Sequence, residues 1–343
     1  MSGLKDITVR TRLPLAPFTT FHIGGEARVF IEATTEEEIR AAFGEATRRA
    51  LPLYPLGAGS NVLVRDEGVE GVVLKVALRD FTLTDDGDDP LLVAGAGLLW
   101  DEVVDRASAQ GIFGIENLAG IPGTVGGAAV QNIGAYGAEF SHVFEYADVI
   151  ESTTGEHVRI TRAPAAFGYR TSFFKTHRAY VITRVALRLK KTVQPNLAYA
   201  DLARAQAMGT PLTTPAEIAR ALRALRAEKF PQGAEEGTAG SFFKNPVIPH
   251  EQAAALAARY PGLPVFPQED GTAKVSLAWL LDHALSLKGF SLGPVRLYEK
   301  QPLVIVAREG ARAQDVDALA REVEARVLAA TGIALAREVE TFG

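Results

Sequence analysis

Three glycine-rich stretches crowd into about eighty residues of the chain's first half, and they limit its fold more than any other feature. They are Leu56-Gly57-Ala58-Gly59-Ser60-Asn61, Gly95-Ala96-Gly97, and Ile121-Pro122-Gly123-Thr124-Val125-Gly126-Gly127-Ala128. The third runs on into Gln131-Asn132-Ile133-Gly134-Ala135-Tyr136-Gly137. Glycines let backbone N–H groups approach a phosphate closely and form anion-binding nests. A turn that feeds a helix N-terminus adds a favourable dipole. Any one stretch reads most simply as a turn between short strands. Three together favour a nucleotide-type ligand. None is a familiar phosphate motif. The chain has no GxxxxGK[ST] and no clean GxGxxG after a first strand, which argues against a P-loop ATPase and a Rossmann domain. It also has no GxSxG nucleophile elbow.

Composition narrows the classes further. The 343 residues suggest two domains at about 150 residues each. With 47% apolar and 22% charged residues the chain is globular. Its net charge of −5, from 36 basic and 41 acidic residues, argues against a general nucleic-acid binder. No apolar run approaches the ~20 residues of a membrane helix. The N-terminal MSGLKDITVRTRLPL lacks an apolar signal core, so a cytoplasmic protein without membrane insertion is expected. There is no cysteine, so disulfides, thiol redox chemistry and iron–sulfur clusters are excluded, and any redox work needs an organic cofactor. His22, His142, His157, His177, His250 and His283 show no metal-ligand spacing, so no metal site is expected.

The first 190 residues read as short strands at 27–33, 61–65, 71–76, 91–94, 146–152, 157–160 and 180–189. In the last, Val181, Thr183, Val185, Leu187 and Leu189 alternate onto one predicted face. Thr35-Glu36-Glu37-Glu38 is a capping box ahead of Ile39, Ala42, Phe43 and Ala46. A second helix is predicted over 99–110, ended by a left-handed Gly111. The C-terminal part is more helical. Thr214-Pro215-Ala216-Glu217 opens a helix that runs to about Lys229, and others are predicted at 251–259, 276–287 (closed by Gly289) and 313–329. A buried strand is predicted at 301–307, an exposed acidic turn at 85–90, and a flexible loop at 232–238.

One short motif occurs twice. Ser172-Phe173-Phe174-Lys175 and Ser241-Phe242-Phe243-Lys244 both match SxxK, but the SDN and KTG elements of serine acyl transfer are absent. The phenylalanine pairs read better as anchors that leave polar neighbours facing a cleft. Taken singly, Arg170 reads as an ion-pair arginine, Ser241 as a cap serine and Glu338 as a solvated glutamate. Their meaning comes from the combination.

In that combination the chain resembles the UDP-N-acetylenolpyruvoylglucosamine reductases, flavoenzymes of bacterial peptidoglycan synthesis. The resemblance runs from Thr19-Thr20-Phe21-His22-Ile23-Gly24-Gly25 to Glu338-Val339. Its most specific pieces are Gly59-Ser60-Asn61, Ile121-Pro122-Gly123, Gln131 to Gly137, Tyr169-Arg170 and Gly240-Ser241-Phe242-Phe243-Lys244-Asn245-Pro246. It implies an α+β fold. An FAD-binding domain of the vanillyl-alcohol-oxidase (PCMH) type would comprise two subdomains, 1–75 and 76–191. A substrate lobe would follow at 192–330, with a tail at 331–343 returning to the active site.

The resemblance further implies bound FAD, NADPH as hydride donor, and reduction of the enolpyruvyl ether of a UDP-sugar to the lactyl ether of UDP-N-acetylmuramate. Arg170 and Glu338 would stabilise negative charge, and Ser241 would give the proton. Gly57, Ala58, Gly59, Ser60 and Asn61, with Ile121, Pro122, Gly123, Gly126 and Gly127, would cradle the FAD pyrophosphate. Asn132, Gly134, Ala135 and Tyr136 would lie near the flavin or the substrate. Lys229, Asn245 and Tyr199 would contact the UDP-sugar. Gln194-Pro195-Asn196-Leu197-Ala198-Tyr199-Ala200-Asp201-Leu202 resembles the insertion of the longer type, with Tyr199 as its covering tyrosine. A monomer is expected. The chain departs from the pattern at Arg337-Glu338-Val339-Glu340, where proline before the glutamate and a basic residue two positions after it are expected. A same-fold flavin oxidase and a catalytically silent nucleotide-sugar binder are the alternatives.

Overall fold

A computed structural model describes the chain from Ile7 to Gly343, apart from Asp86, Asp88, Val193, Gln194 and residues 232–235. The described residues divide into two compact units. One takes the chain up to Leu13, Glu26–Gly59 and Val69–Arg226, and the other takes Pro14–Gly25, Ser60–Gly68 and Ala227–Gly343.

Among the described residues the first unit holds two large sheets beside a two-stranded hairpin. In one, the strands run in the order Val9–Pro14, Glu26–Ala33, Val69–Val76, Leu53–Leu56, and Val69–Val76 pairs in parallel with both of its neighbours. The helix Glu36–Arg49 packs Ile39, Ala42, Phe43 and Ala46 into this core. Its Thr35–Glu38 capping box forms as predicted, so the helix start is fixed by local hydrogen bonds. The other sheet is antiparallel, in the order His157–Thr161, Phe144–Glu151, Tyr180–Arg188, Leu91–Gly95, Phe81–Thr84. Tyr180–Arg188 is its central strand, and its alternating residues are buried as their spacing implied. Ile182 and Ala186 are buried as well as Val181, Thr183, Val185 and Leu187, because both faces of the sheet are covered. One apolar cluster spans both sheets and the helix Trp100–Ala109. Trp100 is fully buried in it and donates Nε1–H to the Leu118 carbonyl at 3.0 Å. Gly111 is left-handed beyond that helix, as expected.

Glu116 lies inside this unit at 5% exposure, with its Oε2 accepting from the Gly114 N–H at 2.6 Å. Burial pushes its carboxyl above the usual carboxylate range, against the pull of nearby backbone N–H groups. At low pH the folded and unfolded states both hold this proton, and its contribution to stability is complete. As pH rises past the ordinary carboxylate value the unfolded state ionises first, and stability falls until the folded carboxyl ionises too. Thermal melts from about pH 4 to pH 8 should therefore show a decline that Glu116→Gln flattens. Parallel curves for the two proteins would sink this assignment.

The second unit is built from short strands and helices. Ile305–Arg308 pairs antiparallel with Glu236–Gly237 and with Val295–Leu297, which pairs in turn with Ser291–Leu292. The helix Ala313–Thr331 buries Ala313, Val316, Leu319, Ala320, Val323 and Val327 at helical spacing. Asp66 caps it from far along the chain, accepting from the N–H groups of Ala313 and Gln314 at 2.9 and 3.0 Å. Val62–Val64 runs parallel to Glu340–Phe342, so an early strand and the chain's end share one ladder.

Three local readings are corrected here. Within the predicted 232–238 loop, 232–235 lie outside the described residues, and Glu236–Gly237 is a strand. Gly237 passes so close to Phe21 that a Cβ there would meet the Phe21 carbonyl oxygen at 1.8 Å, so only glycine fits. The predicted helix at 276–287 is a short α-turn, Leu277–Trp279, continued by a π-turn, Leu280–Ala284. The strand predicted at 301–307 begins only at Ile305. In the acidic turn, Asp85 pairs with Lys191 and Asp89 with Lys190, while Asp86 and Asp88 lie outside the described residues.

Candidate active site

The first unit laces the three glycine-rich stretches together. A Cβ on Gly57 would sit 2.6 Å from Thr124 Oγ1, so the 57–59 turn lies directly on the start of the helix Val125–Gln131. Val125 N–H donates to the Leu98 carbonyl and Gly126 N–H to the Ala96 carbonyl, both at 2.9 Å. Gly127 N–H donates to Thr124 Oγ1 at 3.3 Å. These bonds correct the simple dipole picture, because the first-turn amides already have protein acceptors. By contrast, the N–H groups of Ala58, Gly59 and Gly123 make no hydrogen bond among the described residues. A diphosphate fits such donors. Gly57→Ala should push Thr124 off its cap and lower the affinity for a bound dinucleotide about tenfold. Visible absorbance relative to protein absorbance, after dilution, checks this. Unchanged retention would remove Gly57 from the cradle.

A second polar cluster surrounds Arg170 in the same unit. Arg170 Nη2 donates to the Gly134 carbonyl at 2.6 Å and Nη1 to the Asn132 carbonyl at 3.4 Å. Asn132 is 1% exposed; its Nδ2 donates to the Gly168 carbonyl at 3.0 Å, and its Oδ1 accepts from Ser141 N–H at 3.0 Å. Lys175 Nζ ties the Arg170 carbonyl to Gln131 Oε1, at 3.3 and 2.7 Å. Ser172, 3% exposed, donates to the Val130 carbonyl at 2.8 Å. The first SFFK segment is therefore a brace behind Arg170, and its serine is no nucleophile.

Gly134 and Ala135 pair with Glu139 and Ala138 around a two-residue turn, Tyr136-Gly137. Both turn residues are left-handed (φ 49° and 78°), the type I′ geometry in which tyrosine is strained. Asn132 and Arg170 are left-handed too, at φ 43° and 55°. Such strain gathers at functional sites. Tyr199, 45% exposed, meets Tyr136 edge-on at 5.0 Å.

The second unit holds the other predicted residues. Ser241 bridges antiparallel to Val304, and Phe243 to Arg337. Glu338 N–H donates to the Phe242 carbonyl at 2.8 Å, and Asn61 Nδ2 donates to the Glu338 carbonyl at 3.1 Å. Ser241, Asn61 and Glu338 therefore stand on adjoining backbone rungs. Phe242 and Phe243, each 1% exposed, anchor the segment in the core as their spacing suggested. Ser60, half-buried, precedes Asn61 at the edge of Val62–Val64. Glu340 N–H donates to the Asn61 carbonyl at 3.1 Å, within the strand that closes the chain. Arg337 turns toward the helix Ala313–Thr331, pairing with Glu324 and Asp317 at 2.6 Å each, and those carboxylates raise its pKa. Lys229 is the last residue of the helix Pro215–Lys229. Asn245 Oδ1 accepts from the Leu277 N–H at 3.0 Å. Ile121 and Pro122 stay partly or fully exposed ahead of Gly123.

Residues 27–161 match a family model described as an FAD binding domain. Residues 232–342 match the C-terminal domain of UDP-N-acetylenolpyruvoylglucosamine reductase. The reductase of Azoarcus sp. (strain BH72) is 41% identical over 345 residues, spanning 98% of this chain and 99% of the relative. This chain belongs to the UDP-N-acetylenolpyruvoylglucosamine reductase family. The Escherichia coli (strain K12) reductase is 38% identical over 331 residues, covering 96% and 95% of the two chains. The solved structure of the Thermus caldophilus reductase gives a TM-score of 0.68 at 28% identity, over 98% of this chain and 99% of that one.

Membership makes the chain an FAD-containing oxidoreductase with an α+β fold, as the sequence implied. The unpaired N–H groups at Ala58, Gly59 and Gly123, and the glycine face at Gly57, suit the FAD pyrophosphate. No helix among the described residues is long and apolar enough to cross a membrane. Reading the sequence missed Lys175 and Gln131, which brace Arg170, and Asn117. Asn117 had a visible signal: Glu116-Asn117 is a polar pair inside the apolar run Ile115 to Ala119.

Proposed function

We propose that the chain reduces UDP-N-acetylglucosamine enolpyruvate to UDP-N-acetylmuramate with NADPH as reductant, in the cytoplasm and as a monomer. The observation that carries this reading is the Ser241–Asn61–Glu338 arrangement: one hydroxyl and one carboxyl on adjoining rungs, locked by Asn61. Bound FAD supplies hydride transfer, which no side chain of this cysteine-free chain supplies.

The remaining chemistry falls to the chain's own residues. Hydride on the terminal alkene carbon leaves negative charge on the neighbouring carbon and its carboxylate. Arg170, held by two carbonyls, offers a fixed cation for that charge before it forms. Glu338 would add its carboxyl to the stabilisation of that charge. Ser241 Oγ gives its proton to the carbanionic carbon. A hydroxyl is a weak acid, so its contribution depends on being held in place. Tyr199 covers the substrate, Lys229 serves as a point charge near the UDP phosphates, and Asn245 makes a further substrate contact.

The test is an anaerobic titration of the purified protein. NADPH should bleach the yellow colour, and the enolpyruvyl substrate should restore it. Bleaching without recovery would overturn the substrate and favour a flavin oxidase. A colourless protein that takes up no FAD would favour a silent nucleotide-sugar binder.

A further inference from the structure

We propose that Asn117 is a positioning residue that sets the covering tyrosine, Tyr199, by clamping two backbone segments with one side-chain amide. The kinetic part of this inference rests on the proposed reductase activity.

Asn117 lies in the turn Glu116–Leu118 and is 3% exposed. Its Nδ2 donates to the Tyr136 carbonyl and to the Asn196 carbonyl, each at 2.9 Å. One carbonyl belongs to the strained hairpin turn, the other to the segment that leads into Tyr199. The amide's orientation is dictated by these partners, because a flipped Oδ1 would face two carbonyl oxygens. Its buried Oδ1 has no hydrogen-bond partner among the described residues. A side chain kept only for stability would have both ends satisfied, since a buried unpaired acceptor is destabilising. The site therefore tolerates an unpaired acceptor to keep two donors on one atom. Among uncharged side chains only Asn and Gln carry two N–H groups on one nitrogen.

The clamped segments are also stitched to each other. Asn196 Nδ2 donates to the Gly137 carbonyl at 3.2 Å, and its Oδ1 accepts from Ala198 N–H at 3.3 Å. A Cβ on Gly137 would lie 3.0 Å from Asn196 Nδ2, so the two backbones meet where a side chain is missing. Tyr199 then flanks the helix Ala200–Ala207, and its ring leans edge-on against Tyr136, which is only 8% exposed. The exposed ring thus takes its position from a buried one, and Asn117 holds the backbone of both segments. A cover fixed before the substrate arrives costs less ordering on binding.

The test uses FAD-loaded enzyme carrying Asn117→Ala or Asn117→Ser, each with and without Tyr199→Ala. Asn117→Ala should raise KM for the enolpyruvyl substrate about tenfold and leave NADPH-driven bleaching unchanged. Asn117→Ser, with one donor, should fall between and carries the test if Asn117→Ala does not retain FAD. In the Tyr199→Ala background the Asn117 change should add less than about twofold, because the group it acts through is gone. Amide exchange should speed up over 196–203 and not in Tyr180–Arg188. Additive effects in the double variant, or faster exchange throughout the unit, would overturn the clamp. Should the wild type fail to turn over the enolpyruvyl substrate, the activity reading falls, and the exchange comparison alone decides the clamp.

Discussion

Ser241→Ala should leave NADPH-driven bleaching of the flavin at its normal rate and slow recolouring by the enolpyruvyl substrate about 10²- to 10⁴-fold. The asymmetry follows from where a proton is needed. Passing hydride from NADPH to the cofactor asks nothing of a serine. Finishing the carbanionic product requires a proton on carbon, from a donor already in contact. Ser241 is held for this by its bridge to Val304 and by the buried rings of Phe242 and Phe243. Removing one oxygen from a half-buried position disturbs little of that packing, so a folding defect is not expected. Stopped-flow absorbance separates the two half-reactions. Unchanged recolouring would remove Ser241 as the donor.

Glu338→Gln should slow the same recolouring about 10²-fold, and Glu340→Gln should change it less than about threefold. The two glutamates differ in their backbone setting. Glu338 sits beside the serine segment, its N–H on the Phe242 carbonyl and its own carbonyl on Asn61. Glu340 has passed into the closing strand opposite Val62. Gln keeps the hydrogen-bonding shape of Glu338 but can neither hold nor release the proton. The departure from the expected motif is thus a question of position. Arg337 is committed to Glu324 and Asp317, and Glu340 is the residue where a basic one was expected. If Glu340→Gln slows recolouring more than Glu338→Gln, the acid has been misassigned.

Much of this was legible along the chain because it is governed locally. The Thr35 and Thr214 capping boxes form as their spacing required, since their partners lie three residues apart. The apolar pair in the second SFFK segment is buried as its pattern implied. The glycine-rich stretches pointed to a phosphate-bearing ligand because close backbone approach is a property of glycine itself.

The sequence by itself therefore determined the helices with capped starts, the glycine-rich turns, the absence of thiol chemistry and the family. Only the tertiary structure decided the rest. It assigned Pro14–Gly25 and Ser60–Gly68 to the C-terminal unit, and joined Val62–Val64 to the chain's last strand. It put Tyr136 into a left-handed turn that tyrosine does not favour, and turned the first SFFK segment into a brace for Arg170. It also buried Asn117 with one acceptor unpaired among the described residues. The physical reason is common to all of these. Caps, turns and periodicity act over a few residues, whereas strand partners, tolerated strain and unpaired buried groups depend on contacts between distant segments that exist only after the core has closed.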